Sequence, residues 1–321
     1  MTTEVVTGDV QANEHQTVLL HEAVAALIND PNGCYVDGTF GRGGHTRLLL
    51  QQLGSDACVV GIDKDPQAVA AGKLLASEDS RFTMAQGSFS ELVELLKQQG
   101  IARPLSGVLL DLGVSSPQLD QAERGFSFAK NGPLDMRMNP GAGISAATWL
   151  AQAEEGEIAR VLKEFGEERF ARRIARALVA ARIEAPIDTT SRLSKIVAEA
   201  NPAWEKGKNP ATRAFQAIRI YINNELDDLV RTLEQLPDQL AVGGRLVVIS
   251  FHSLEDRLVK RFIRQQVRGE SENIPAYIPM RAVDHQPRLK AVGKAIQPSA
   301  AEVDANPRAR SAVMRVAEKL I

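Results

Sequence analysis

The chain has 321 residues, 44% of them hydrophobic and 24% charged, with a formal net charge of −2. That is room for one large domain or two modest ones, and it excludes a disordered chain too polar to bury a core. The overall charge by itself predicts no polyanion partner, and no stretch approaches the roughly 20 apolar residues of a membrane span.

Residues 1–14 read as a loose tail, polar and without the apolar centre of a signal peptide, so a cytoplasmic location is the expectation. Residues 18–28 read as an amphipathic helix. Strands are expected at 34–40, 57–63, 82–87 and 107–113, alternating with helices at 44–53, 66–76 and 89–99. That spacing is the mark of βαβ units and a parallel sheet. The run from Ser106 to Gly113 is apolar on successive residues, as in a central strand covered on both faces. Cys34 and Cys58 each open an apolar run, lack CxxC spacing, and are expected to be buried, reduced thiols.

Residues 114–143, rich in Gly, Pro, Ser and Asn, read as a long ordered loop of the kind that is usually functional. Residues 145–200 are helical in character, 201–210 break, and 211–236 read as one long helix. A strand at 243–251 follows the Gly243-Gly244 turn. A basic helix is expected at 254–268, a polar loop at 269–287 and a last strand at 310–318. A helical segment of about 70 residues thus interrupts an α/β sheet and reads as an inserted domain. The expected division is a tail at 1–14, a sheet domain at 15–140 and 213–321, and a helical insert at 141–212.

The chemistry starts at the turn after the first strand. Gly38, Gly41, Gly43 and Gly44 do not fit the G-x-G-x-x-G frame of a dinucleotide site, and Asp37 stands where it would repel a phosphate. A ligand with a carboxylate, an amine and a sulfonium suits the turn better. Asp37 would face the cationic end, and the N–H groups of Gly43, Gly44 and His45 would meet the carboxylate. S-adenosylmethionine answers that description; an ordinary glycine-rich turn is the plainer alternative. Asp63 closes the second strand, placed to accept both ribose hydroxyls, while Asp65 before Pro66 reads as a helix N-cap. Asp111 and Gln118 lie past the fourth strand, where open sheets bind ligands, and are candidates for cofactor contact. Ser115, Ser116 and Pro117 would border the reacting group. This loop is similar to the S/D/N-P-P-aromatic loop of enzymes that methylate exocyclic amines, but it has a single proline and places Gln118 where the aromatic would stand.

Longer strings carry a resemblance. They include His15-Gln16-Thr17-Val18-Leu19-Leu20-His21-Glu22, Arg124-Gly125-Phe126-Ser127-Phe128, and Gly132-Pro133-Leu134-Asp135-Met136-Arg137-Met138. They continue with Ser250-Phe251-His252-Ser253-Leu254-Glu255-Asp256-Arg257 and Asn306-Pro307-Arg308-Ala309-Arg310-Ser311. On these the chain resembles the bacterial small-subunit ribosomal RNA cytosine-N4 methyltransferases of the MraW/RsmH family, from His15 nearly to the end, with 269–287 outside the likeness. The resemblance implies an α/β fold: a Rossmann-like class I S-adenosylmethionine-dependent methyltransferase sheet with an inserted all-helical domain that helps seat RNA. It implies S-adenosylmethionine held by Gly43, Gly44, His45, Asp63, Phe89, Asp111 and Gln118. Phe89 would wall the adenine, although read alone it is a core residue. The implied substrate is a cytidine in the decoding region of small-subunit ribosomal RNA, as RNA or within the assembling subunit.

The cytosine amino nitrogen would attack the methyl carbon in line, with Ser115, Ser116 and Pro117 supplying hydrogen-bond acceptors and His252 taking the proton. In the 124–138 loop, Phe126 or Phe128 would stack on a flipped base and Asp135 or Arg137 would read its edge, unless the loop packs on itself. Arg169, Arg172, Arg173 and Arg176 share one helical face, either salt-bridged to interleaved glutamates or open to phosphate. From Arg257 to Lys294 there are nine Lys/Arg against three Asp/Glu, which suits a solvated face or a nucleic-acid contact. No His/Cys/carboxylate cluster has ligand spacing, so no metal is expected. The rival readings are a nicotinamide-dependent oxidoreductase, a non-catalytic ribosomal RNA-binding assembly factor, and a methyltransferase of small molecules or proteins. A homodimer is left open.

Overall fold

The computed structural model describes residues 17–203, 209–269 and 286–321. Strands β1 (Cys34–Asp37), β2 (Cys58–Asp63), β3 (Phe82–Gln86), β4 (Leu105–Asp111), β5 (Leu240–Ser250), β6 (Leu289–Ala291) and β7 (Val313–Lys319) form one sheet of order β3-β2-β1-β4-β5-β7-β6. The first five strands pair in parallel, whereas β7 runs antiparallel to β5 and β6 antiparallel to β7. The central strands lie between two helical layers, which is why their apolar residues do not alternate with polar ones.

Helices α1 (Leu20–Leu27), α2 (Gly44–Gln52) and α3 (Pro66–Glu78) bury Leu27, Leu49 and Leu75 on one face of the sheet. On the other face α4 (Leu92–Gln98), which follows a 3-10 turn at Phe89–Glu91, contributes Leu92, Leu95 and Leu96. The order of the strands reverses between β1 and β4, so their carboxyl ends open a crevice.

The chain between β4 and β5 builds a second core. After the short α5 (Ser116–Asp120) and a 3-10 turn at Ala122–Arg124 come α6 (Ala146–Gln152), α7 (Glu155–Gly166), α8 (Ala171–Glu184), α9 (Thr190–Ala200) and α10 (Thr212–Asn223). Trp149, Val161, Ile174, Val197 and Phe215 pack together in it. The helical core thus takes in α10, beyond residue 212, and the loop residues Phe126, Leu134 and Met136.

The long helix expected at 211–236 is two helices, α10 and α11 (Glu225–Gln239). Asn224 parts them at φ 56°, a left-handed conformation that asparagine tolerates better than most residues. Helix α11 then returns to the sheet, where Leu229, Leu233 and Leu236 pack beside Val259 and Phe262 of α12 (Ser253–Arg268). Strand β6 was not expected; it is three residues long and sits on the sheet edge. Between it and β7 lie α13 (Ala300–Ala305) and a 3-10 turn at Pro307–Ser311, so the strand expected from residue 310 begins at Val313. Cys34 is buried and Cys58 partly so, both free thiols and register partners across β1 and β2. The tail at 1–14 and most of the 269–287 loop fall outside the described residues.

Candidate active site

The crevice at the carboxyl ends of β1, β2 and β4 holds a cleft of about 330 Å³, within the roughly 300–1,000 Å³ of small-molecule sites. The glycine turn is built from inside. Asp37 is buried, accepting the Thr46 hydroxyl at 2.7 Å and the Thr39 N–H at 3.2 Å. Gly43, at φ 76°, gives its N–H to the Phe40 carbonyl, and a Cβ there would meet the Phe40 ring at 2.6 Å. Neither residue lines the cleft, in contrast to the expectation that Asp37 faces a cation and Gly43 a carboxylate. Their side of the turn is used up in shaping it. Gly44 and His45 do line the cleft, at the start of α2, which opens with no side-chain cap.

Asp63 closes β2 facing the cleft. Its carboxylate accepts the Gly41 N–H at 2.8 Å and the Asp65 N–H at 2.9 Å, one on each oxygen, so each oxygen keeps acceptor capacity. Burial pushes its pKa up; the two N–H groups oppose the rise. Asp65 caps α3, as its place before Pro66 predicts. Asp111 ends β4 at the floor of the cleft, its Oδ2 3.9 Å from His45 Nδ1. Its Oδ1 is buried with no hydrogen-bond partner among the described residues. Burial, then the charges of Asp37 and Glu255, hold the Asp111 carboxyl well above the usual carboxylate range. Phe89 also lines the cleft, half-buried, with Leu112, Val114 and Leu119 completing an apolar wall.

The loop after β4 is more structural than its sequence suggests. Gln118 borders the cleft, yet its amide is occupied: the oxygen accepts the Ser115 N–H at 3.0 Å and the nitrogen donates to Asp65 at 2.9 Å. Ser115 and Ser116 line the cleft, whereas Pro117, in the first turn of α5, does not. His252, expected to point into the crevice, caps α12 instead; its Nε2 lies 3.0 Å from a Glu255 oxygen and its ring is outside the lining. Glu255 is the residue that reaches the cleft. Burial alone would raise its pKa, but His252, Arg219 and the Phe251 N–H hold it below the usual value. Both departures follow a spacing visible in the sequence, Ser115-x-x-Gln118 and His252-x-x-Glu255, the frame of a capping box.

The 124–138 loop packs on itself and on the helical core. Phe126 is buried there, Phe128 meets Phe215 edge-on with centroids 5.3 Å apart, and Asp135 is paired with Arg137 at 2.8 Å. Stacking of a base on these rings is therefore not what they are placed to do.

Sequence reasoning missed several lining residues. Arg219 and Glu225, paired at 2.8 Å, come from α10 and α11. Asn306 and Arg308 come from the turn before β7, where Arg308 is also paired with Asp120 at 2.6 Å. Amphipathic helices carry many charges, and nothing in the sequence marked these as meeting across the fold. Lys64 lines the cleft too, donating to the Asn223 carbonyl at 2.9 Å and pairing with Asp228.

A model of the MraW methylase family matches residues 12–320. The chain belongs to that family. Three solved structures are similar to this MraW-family chain. The putative rRNA methylase of Clostridium thermocellum is 10% identical, with 94% of this chain and 93% of that chain covered and a TM-score of 0.42. The rRNA methylase of Streptococcus thermophilus is 13% identical, with 94% of each chain covered and a TM-score of 0.41. A putative methyltransferase of Streptococcus mutans in complex with SAH is 11% identical, with 93% of each chain covered and a TM-score of 0.40. The fold assignment rests on the strand order and the family, which give a Rossmann-like methyltransferase sheet.

The MraW methylases take their methyl group from S-adenosylmethionine. The cleft fits that donor. It offers an apolar wall at Phe89, an uncapped helix start at Gly44 and His45, the carboxylate of Asp63 and an unpartnered oxygen on Asp111. Among the carboxyls lining the cleft, Glu255 is held toward its ionised form, whereas burial pushes Asp63 and Asp111 toward the neutral one. Among the described residues no helix is long and apolar enough to cross a membrane, and no group of three His, Cys, Asp or Glu could hold a metal.

Proposed function

We propose that the protein methylates the exocyclic N4 of a cytidine in the decoding region of small-subunit ribosomal RNA. One observation carries the donor half: Asp111 at the floor of a cleft walled by Phe89, with its Oδ1 lacking a hydrogen-bond partner among the described residues. The acceptor half draws on the sequence resemblance and on Arg172 and Arg173 of the helical insert, exposed and without an ion pair among the described residues.

S-adenosylmethionine supplies an electrophilic methyl carbon. The residues of this chain bind and orient around it. Asp63 would take the ribose hydroxyls, Phe89 would wall the adenine, and Gly44 and His45 would receive the carboxylate at the helix start. Asp111 would hold the polar end of the donor beside β4. The amino nitrogen of cytosine is a weak nucleophile because its lone pair is delocalised into the ring. Ser115 and Ser116, on the cleft wall, accept its hydrogens and keep it in line; that alignment provides most of the acceleration. His252 reaches the cleft only through Glu255, so it acts as that carboxylate's partner.

A nicotinamide oxidoreductase is disfavoured by the glycine turn, where Gly38, Gly41, Gly43 and Gly44 do not follow the G-x-G-x-x-G frame of a dinucleotide site. A non-catalytic assembly factor would have no use for the Asp111 oxygen. Transfer of labelled methyl from S-adenosylmethionine to immature small subunits, followed by mass spectrometry of the rRNA nucleosides, tests the proposal. N4-methylcytidine is expected. Label on another nucleoside, or none, rejects it.

A further inference from the structure

The cleft is lined by acids and cations in nearly equal number, whereas the charged residues on the exposed face of α12 are all cations. Arg257, Arg261, Arg264 and Arg268 fall at i, i+4, i+7 and i+11, all exposed, with Lys260 beside them. The acids of this helix are turned away: Glu255 is buried under His252, and Asp256 is paired with Arg315 of β7 at 2.6 Å. Among the described residues, Lys260, Arg261 and Arg264 form no ion pair. The stripe spans about 16 Å, room for roughly four phosphates of one strand.

A second cationic face adjoins it. Glu167, in the turn between α7 and α8, accepts the Ser253 hydroxyl at 2.7 Å and the Arg257 guanidinium at 2.9 Å. That contact seats the start of α8 against the first turn of α12. Arg172 and Arg173 of α8 are exposed and unpaired among the described residues. Phe251, just before α12, and Glu255, in its first turn, line the cleft. The start of α12 thus touches both the cleft and the turn before α8.

We infer that the outer face of α12 is a phosphate rail for the RNA strand whose base enters the cleft, with α8 holding the strand on the other side. This rests on the proposed function and adds a surface to it. The exposed cations of α12 hold the phosphates on the rim while the nucleobase passes in. Lysine and arginine without interleaved aromatics hold a backbone without reading its sequence.

The test is the triple variant Lys260→Gln/Arg261→Gln/Arg264→Gln, titrated with an in vitro transcript of the decoding region over a range of salt. Binding should weaken at least tenfold near 0.1 M salt, and the slope of log Kd against log salt should fall by about two, as expected for three lost contacts. S-adenosylmethionine affinity by calorimetry should stay as in the wild type, which shows that the fold is intact. The charge-keeping variant Lys260→Arg/Arg261→Lys/Arg264→Lys should retain the wild-type slope. If the wild type binds the transcript and the triple variant binds equally well with the same slope, the rail is refuted while the proposed function stands. Loss of binding to immature subunits with transcript binding intact refutes it too, and assigns the face to an acidic protein. A wild type that binds neither the transcript nor immature subunits overturns the proposed function and the rail with it.

Discussion

Asp65 and Arg124 form an ion pair at 2.7 Å with both side chains buried, although 59 positions separate them. The same Asp65 oxygen accepts Gln118 Nε2, and Arg124 also donates to the Met138 carbonyl at 2.9 Å. One carboxylate thus ties the α3 cap to the loop that shapes the far wall of the cleft. Arg124→Met leaves that carboxylate buried without a counter-charge, at a cost of about 3–5 kcal/mol. Urea denaturation should show it; a loss below about 1 kcal/mol would mean that the pair is not what holds the loop.

Asp37 predicts a pH dependence. Burial pushes its carboxyl up to about 6, against the pull of the Thr46 hydroxyl and the Thr39 N–H; Asp63 nearby adds to the rise. The folded protein therefore holds a proton that the unfolded chain releases near 3.8. The resulting stability is complete below about 4 and lost as pH rises through about 6. Relative to Asp37→Asn, the wild type should lose about 1 kcal/mol between pH 5 and pH 7.5. Parallel denaturation curves that keep a constant gap across this range would contradict the assignment.

Asp111 should govern donor affinity. Its carboxyl is held high by burial and by Asp37 and Glu255, and the ionised form is the one that can accept from the ligand or face its cation. Binding of S-adenosylmethionine should then strengthen as pH rises, and Asp111→Asn should flatten that rise. Asp111→Ala should weaken binding by tenfold or more in calorimetry. Normal affinity in Asp111→Ala would put the donor elsewhere.

Phe89 is a narrower test of the same pocket. Phe89→Ala removes an apolar wall worth about 1–2 kcal/mol to a stacked ring, hence a donor Kd roughly ten times higher. The 3-10 turn carrying it is held by the Ser88–Glu91 capping box, so thermal stability should move little. A large stability loss with unchanged affinity would make Phe89 a core residue after all.

On the helical insert, reversing Arg172 and Arg173 to Glu should weaken binding of decoding-region RNA and flatten its salt dependence. Arg176 is the control, since it already lies 3.8 Å from Glu155. Equal effects from Arg176→Glu and from the double variant would point to general charge rather than to a face.

How much of this was legible depended on how local its cause is. Strands such as 107–113 announce themselves because burial on both faces leaves an apolar run, and Asp65-Pro66 announces a helix start because a cap needs only its own neighbours. The break at Asn224 was hidden because a left-handed residue is marked by glycine far more often than by asparagine. Strand β6 was hidden because three residues carry no periodicity. The capping frames Ser115-x-x-Gln118 and His252-x-x-Glu255 are legible by their i, i+3 spacing, because a cap needs only local partners. Phe126 and Phe128 joined a core that forms only when α10 packs against their loop. Arg219, Glu225 and Arg308 reach the cleft from remote segments, which no local pattern records.

The place of the helical insert bears on how the chain assembles. Strands β4 and β5 are neighbours at the centre of the sheet, yet pairing Val108 with Leu246 must close a loop of roughly 140 residues. Helices α6 to α10 share contacts mostly among themselves, so they can collapse early and shorten the gap that the two strands must bridge. The helical insert is then also the scaffold that lets the sheet finish, and damage to its interior should slow refolding as well as lower equilibrium stability.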